Sequence, residues 1–155
     1  MKSIKNPWFW LMAIGSLLLD IFTKYLTIQK LPIGQSHLLW PGVFHFTHAI
    51  NKGAAFSMFQ GEGWLRWLSL AVSLALMALA IFGPRLQKLE QVGYGAVLAG
   101  ALGNGIERFS QGYVTDFIDV RLINFAIFNW ADVSINIGIG AYLLHTLLMS
   151  KSKNQ

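Results

Sequence analysis

WFWLMAIGSLLLDIFTKYLTI, residues 8–28, is the stretch that decides the fold. A helix of about 20 apolar residues, rising about 1.5 Å per residue, covers the roughly 30 Å hydrocarbon core of a bilayer. Within the stretch only Asp20 and Lys24 carry charge, so it reads as a membrane span. Three more stretches follow the same pattern: residues 64–82, residues 92–108 (rich in Gly and Ala), and residues 130–149. Trp8, Trp10, Trp64, Trp67 and Trp130 lie near span ends, where indole rings anchor at the interface. The expected fold class is an all-α membrane protein of four transmembrane helices, forming one membrane-embedded domain over residues 1–155.

Composition supports lipid as the main covering. Only 12% of residues are charged and 54% are hydrophobic, against about a quarter charged in soluble domains, and the mean hydropathy is +0.49. The net charge of +5 fits basic residues gathered at a cytoplasmic face better than a nucleic-acid partner. With four alternating spans, Lys2, Lys5, Arg85, Lys88, Lys151 and Lys153 share one side, which is expected to be cytoplasmic along with both termini. Of the acids, Asp20, Glu62, Glu107, Asp116, Asp119 and Asp132 then fall at or beyond the outer face, and Glu90 inside. No small-residue cleavage site follows the first apolar run, so it reads as a retained span.

The outer segments carry strand periodicity. Phe44, Phe46, His48 and Ile50 alternate with Val43, His45, Thr47 and Ala49. Asn51-Lys52-Gly53 supplies turn residues, and Ala54–Phe59 reads as a possible returning strand. Tyr113–Val120 alternates as well, placing Asp116 on one face with Val114, Ile118 and Val120. The bland reading of Asp116 is an edge-strand charge. In the third helix, Gly95, Ala99 and Gly103, with Ala96 and Gly100, follow the small-xxx-small spacing of close helix packing.

Ionisable groups in or near a span need a reason. The candidates are Asp20, Lys24, Arg108, Asp116 and Asp132, with Asn104 four residues before Arg108 on one helix face. Lys24 could snorkel to the interface, and Asn129 with Asp132 could merely cap the fourth helix. The four histidines have no metal-ligand spacing and there is no cysteine, so no metal or other cofactor is expected. Neither H-E-x-x-H nor G-x-S-x-G occurs. Two carboxylates sharing one proton remain as a hydrolytic device, one as base on water and the other polarising a carbonyl. Asp116 and Asp132 are the natural pair. Intramembrane acids also mark ion paths, so a small transporter or proton-relay protein is the alternative class.

Five motifs in order resemble the lipoprotein signal peptidase (signal peptidase II) family. Asp20–Lys24 matches D-x-x-[ST]-K, and Asn51-Lys52-Gly53-Ala54-Ala55-Phe56 matches N-x-G-A-A-F. Gly100–Arg108 corresponds to G-G-A-x-G-N-x-x-D-R, Val114–Asp119 to V-x-D-F-I-D, and Asn129–Asp132 to N-x-A-D. Gly100-Ala101-Leu102-Gly103-Asn104 covers five of the third motif's first six positions, with Ala99 at the leading glycine, and Glu107 stands where the family usually has Asp. The resemblance implies an aspartic endopeptidase that cleaves prolipoproteins just before a diacylglyceryl-modified cysteine. It implies Asp116 and Asp132 as the catalytic pair, Asn51, Asn104, Arg108 and Asn129 as contacts to substrate or the inhibitor globomycin, and Asp20 and Lys24 as supporting residues. It further implies a small outer β-sheet cradle, membrane lipids as surroundings and no nucleic acid. A homologue lacking activity would share the motifs.

Overall fold

The helix richest in glycine is the one around which the others pack. The computed structural model describes residues 4–53, 63–123 and 125–153, by backbone alone at 152 and 153. In chain order the elements are α1 (Pro7–Lys30), β1 (Ser36–Trp40), β2 (Phe44–Asn51), α2 (Trp64–Phe82), α3 (Lys88–Ser110), β3 (Val114–Val120), a single 3₁₀ turn (Arg121–Ile123) and α4 (Trp130–Lys153). Helices α1, α2 and α4 all pack on α3. Its Gly95, Ala96, Ala99, Gly100 and Gly103 are buried, so backbones approach where side-chain bulk is missing.

A Cβ on Gly95 would collide with the carbonyl oxygen of Phe9 in α1, whereas one on Gly15 would meet nothing within 4 Å. Gly95→Ala is therefore expected to destabilise by about 1–3 kcal/mol through overpacking. Gly15→Ala should be neutral or stabilising by up to about 1 kcal/mol, since Ala is the better helix former. Unfolding midpoints of the two variants in one detergent check the contrast.

Helices α1, α2 and α4 are long and apolar enough to cross a membrane, over Pro7–Lys30, Trp64–Phe82 and Trp130–Lys151. Helix α3, with 23 residues, has the length without the apolarity. Protein rather than lipid covers much of it, and Gln91 and Asn104 are buried there. By contrast α2 buries only Ser73 and Ala80 and turns Leu68, Leu74, Ile81 and Phe82 outward. The stretch 64–82 expected from sequence coincides with α2. The other three helices run past their apolar stretches because polar ends add turns: Pro7 starts α1, and a Gln87–Glu90 capping box starts α3.

At the end of the bundle holding the first residues of α1, Asn6 and Lys5 finish α2. Asn6 Nδ2 donates to Ala80 O (3.1 Å), and Lys5 Nζ to the carbonyls of Ile81 and Gly83, a cation meeting the negative end of a helix. Between α1 and α4, Trp130 Nε1 donates to Ser16 Oγ (3.0 Å), which also hydrogen-bonds Ser134 Oγ.

At the opposite end the three strands form one antiparallel sheet in the order β1-β2-β3. The alternation at 44–50 and 113–120 forms β2 and β3. The partner of β2 on its other edge is β1, which the alternation did not indicate: Ser36–Trp40 is exposed throughout, so no buried face imposes a period on it. The return strand at Ala54–Phe59, the Ala54–Phe56 part of the second motif, and Glu62 lie outside the described residues. A register shift between Phe46 and Ala49 bends β2 where it passes Asp116. One polar row ties all three strands. Asp119 Oδ2 accepts from Thr47 Oγ1 (2.6 Å) and Arg121 Nε (2.9 Å), while Arg121 Nη2 and Thr47 Oγ1 both lie 2.8 Å from Ser36 Oγ. Burial pulls the Asp119 carboxyl upward. The bonds from Thr47 and Arg121 and the Arg121 charge outweigh it and hold the group below the usual carboxylate range.

Candidate active site

Asp116 projects from the middle of β3 and Asp132 from the first turn of α4, and both line one cleft of ≈ 310 Å³. Asn51, Asn104, Arg108, Asn129, Asn136 and the Phe125–Phe128 segment complete its walls. Such a volume lies at the small end of ligand pockets. Asp116 is only 2% exposed, which removes the edge-charge reading, while Asp132 is half-buried and open to the cleft.

Three asparagine amides orient the two carboxylates. Asn51 Nδ2 donates to Asp116 Oδ2 (2.9 Å) and Asn129 Nδ2 to Asp116 Oδ1 (2.6 Å). Asn104 Nδ2 donates to Asp132 Oδ1 (2.9 Å). The way round of each amide is fixed chemically, because each amide oxygen faces a group that can only donate. Lys24 Nζ meets Asn104 Oδ1 (3.0 Å), Gly53 N–H meets Asn51 Oδ1 (2.9 Å), and Asp132 N–H meets Asn129 Oδ1 (3.1 Å).

The capping reading of Asn129 and Asp132 holds at the same time. Asn129 N–H donates to Asp132 Oδ2 (3.1 Å) while its side chain takes Asp132 N–H, a reciprocal box on the helix N-terminus. The cap thus fixes one carboxylate oxygen and leaves the group facing the cleft. Burial raises the Asp116 carboxyl to about 7, and the Asp132 charge adds to the rise; hydrogen bonds from Asn51 and Asn129 and the Lys24 charge oppose it.

Arg108 lines the cleft and donates from Nη2 to the Gly53 carbonyl (3.1 Å), so it holds the exit of β2. Asp20 and Lys24 stand behind the cleft rather than in it. Lys24 does not snorkel. It is buried, with Asp20 Oδ2 at 2.9 Å, Glu107 Oε2 at 2.8 Å and Asn104 Oδ1 at 3.0 Å. Three oxygens match the three donors of an ammonium, which holds it where desolvation would otherwise expel it. All eight sequence candidates therefore belong to one constellation, six on the cleft and two behind it. Sequence reasoning missed Thr115, which is fully buried, and the task of Glu107, whose carboxylate reaches Thr115 and Lys24 rather than Arg108. The available signal was that Asn104, Glu107 and Arg108 are spaced to share one helix face.

The helical bundle with its three-stranded sheet beside the cleft is shared with solved bacterial membrane enzymes. The chain is similar to a solved bacterial membrane enzyme at TM-score 0.84 and 32% identity, covering 94% of this chain and 90% of that one. A second such structure gives TM-score 0.78 at 32% identity, covering 88% and 90%. The family profile described as signal peptidase (SPase) II matches residues 12–148, and the chain belongs to that family of peptidases. Its relatives include the lipoprotein signal peptidase of Microcystis aeruginosa (60% identical, 92% of this chain and 93% of the relative). That of Gloeothece citriformis is also 60% identical, over 97% and 95%.

Proposed function

We propose that the protein removes signal peptides from diacylglyceryl-modified prolipoproteins by aspartic catalysis, cleaving just before the lipidated cysteine. The observation that carries this reading is the convergence of Asp116 and Asp132 on one cleft, each already oriented by asparagine amides. Asp132, open to the cleft, takes a proton from the attacking water. Asp116 donates its shared proton to the scissile carbonyl oxygen as the C–O bond forms. On collapse the C–N bond breaks, the proton held by Asp132 passes to the leaving cysteine nitrogen, and Asp116 recovers its own. Asn51, Asn104, Arg108 and Asn129 contact substrate, with Asp20 and Lys24 supporting. The test is incubation of purified enzyme with a lipid-modified prolipoprotein and sequencing of both products; a cut anywhere but before the modified cysteine overturns the reading.

The same proposal takes residues 1–155 as one domain in the bacterial cytoplasmic membrane. Its α3 is the fourth span, the lipid-exposed flanks of α1, α2 and α4 meet membrane lipids, both termini are cytoplasmic, and the sheet and cleft lie at the outer face. Because the chain has no cysteine, single cysteines introduced at His37 and at Ser150 report this directly. A membrane-impermeant thiol reagent applied to intact cells should label the first and not the second.

Globomycin is assigned to the same cleft, with Arg108 as a planar fork over its carbonyls. Arg108→Lys replaces the fork with a point charge. Losing a charged hydrogen bond of about 1.5–3 kcal/mol should raise the inhibitor's Kd by about 10- to 100-fold with little change in unfolding midpoint. An unchanged inhibition curve would leave Arg108 only its bond to Gly53.

A further inference from the structure

Behind the cleft the same relation occurs twice. Asp20 Oδ1 accepts the main-chain N–H of Ala131 (2.8 Å), the residue immediately before Asp132. Glu107 Oε2 accepts the main-chain N–H of Thr115 (3.1 Å), the residue immediately before Asp116, and Oε1 accepts the Thr115 hydroxyl (2.8 Å). Lys24 Nζ joins the two carboxylates, 2.9 Å from Asp20 Oδ2 and 2.8 Å from Glu107 Oε2. None of the three charged residues lines the cleft, and Lys24 reaches its wall through Asn104 Oδ1 (3.0 Å). The series of contacts runs from the residue before one cleft aspartate, through three charged side chains, to the residue before the other.

We propose that Asp20, Lys24 and Glu107 form a buried spacer that sets the separation of Asp116 and Asp132. They are positioning residues, and the inference rests on the two-aspartate reading of the cleft. Apart from the spacer, α4 is held by its packing on α3 and β3 by its pairing with β2, and the two are tied at the cleft by the Phe128 bridge and by Asn129 Nδ2 donating to Asp116 Oδ1; the spacer adds a second tie from behind. A shared proton needs a tighter tolerance than such packing supplies, since a 1 Å misplacement can cost about 10²-fold in rate. Buried charges are weak evidence for stability, because apolar residues of equal volume often serve as well. Their use here is geometric. Space is reserved for the spacer, because a Cβ on Gly103 would strike Asp20 Oδ2. Glu107, one methylene longer than the family's usual Asp, brings both of its oxygens to Thr115 in this chain.

The decisive variant is Glu107→Gln, which keeps volume and removes the ion pair. Cleavage of a lipid-modified prolipoprotein is followed from pH 4 to 10 with purified full-length enzyme, alongside thermal unfolding and an Asp116→Asn control. The groups facing Asp116 are Asp132 on α4, Lys24 on α1, Arg108 on α3, and the amides of Asn51 and Asn129; of these the substitution touches Lys24, which loses one ion-pair partner, so Thr115→Val, which changes no charge, is run beside it and must move the limb the same way. The expected result is a kcat lowered about 10- to 100-fold at unchanged KM. The alkaline limb should move to lower pH, because a wider separation weakens the repulsion that keeps the Asp116 proton on. Glu107→Asp should recover much of the rate and the limb. If Glu107→Gln does not fold, Thr115→Val, which removes only the hydroxyl arm, carries the test with a smaller change of the same sign. A pH profile superimposable on the parent, with activity falling only as the folded fraction falls, overturns the spacer. An active Asp116→Asn control would instead overturn the two-aspartate reading beneath it.

Discussion

Asp116→Asn and Asp132→Asn should each lower kcat by about 10³-fold or more, within the range set by loss of a positioned acid or base, while the protein stays folded. The two failures differ in kind. Asn at 132 retains an oxygen that can accept from Asn104 or from the Asn129 N–H, so the helix cap is weakened rather than lost, but no base remains for water. Asn at 116 keeps the shape of a protonated carboxyl yet has no transferable proton. Its amide nitrogen then opposes Asn51 or Asn129, both of which donate. Single-turnover cleavage, which excludes product release, measures the loss. Near-parental turnover by either variant would remove that aspartate from the chemistry.

The second large effect is on pH. The Asp116 carboxyl is raised from 3.8 to about 7, first by burial and then by the Asp132 charge. The folded state therefore binds this proton more tightly than the unfolded chain does. The contribution of this group to stability is full below about pH 4, declines as pH climbs, and is lost above about pH 7. At about 1.4 kcal/mol per pH unit the total is roughly 4 kcal/mol. Asp116→Asn should flatten that slope, so its unfolding midpoint gains on the parent steadily between pH 4 and 7. Activity should follow a bell whose alkaline limb falls near pH 7, with both limbs belonging to the pair. A rate unchanged from mildly acidic to strongly alkaline pH would leave no role for a shared proton.

The fold was legible where a physical constraint imposed a period on the chain. Lipid on one side and protein on the other wrote α1, α2 and α4 as apolar stretches, and a half-buried sheet wrote β2 and β3 as alternation. Ser36–Trp40 has no buried face and left no such trace. Helix α3 is legible in its glycines yet short of apolarity, because protein rather than lipid faces much of it. Asp116 stood out as a carboxylate on an apolar face, whereas Asn51, Asn104, Arg108 and Asn129 were assigned to the site by the family resemblance. Lys24 misled because an isolated lysine near a span end normally reaches water. Its three partners come from α1 and α3, and two of them are about 80 residues away in sequence, beyond what local spacing reveals. Thr115 was missed for a different reason: its partner Glu107 is only eight residues away, but across the turn from α3 to β3, where neither a helical nor a strand period relates them.

The reciprocal box between Asn129 and Asp132 has a bearing on timing. In the proposed mechanism the oxygen that receives the Asn129 N–H belongs to the carboxylate that accepts the proton of water. During each turnover that carboxylate becomes a carboxylic acid, its attraction for the helix end drops, and the first turn of α4 is held less firmly until the proton departs. The end of a structural helix thus loosens and tightens in step with bond making and breaking: it is softest while the tetrahedral adduct stands, and it is firm again once the C–N bond has broken.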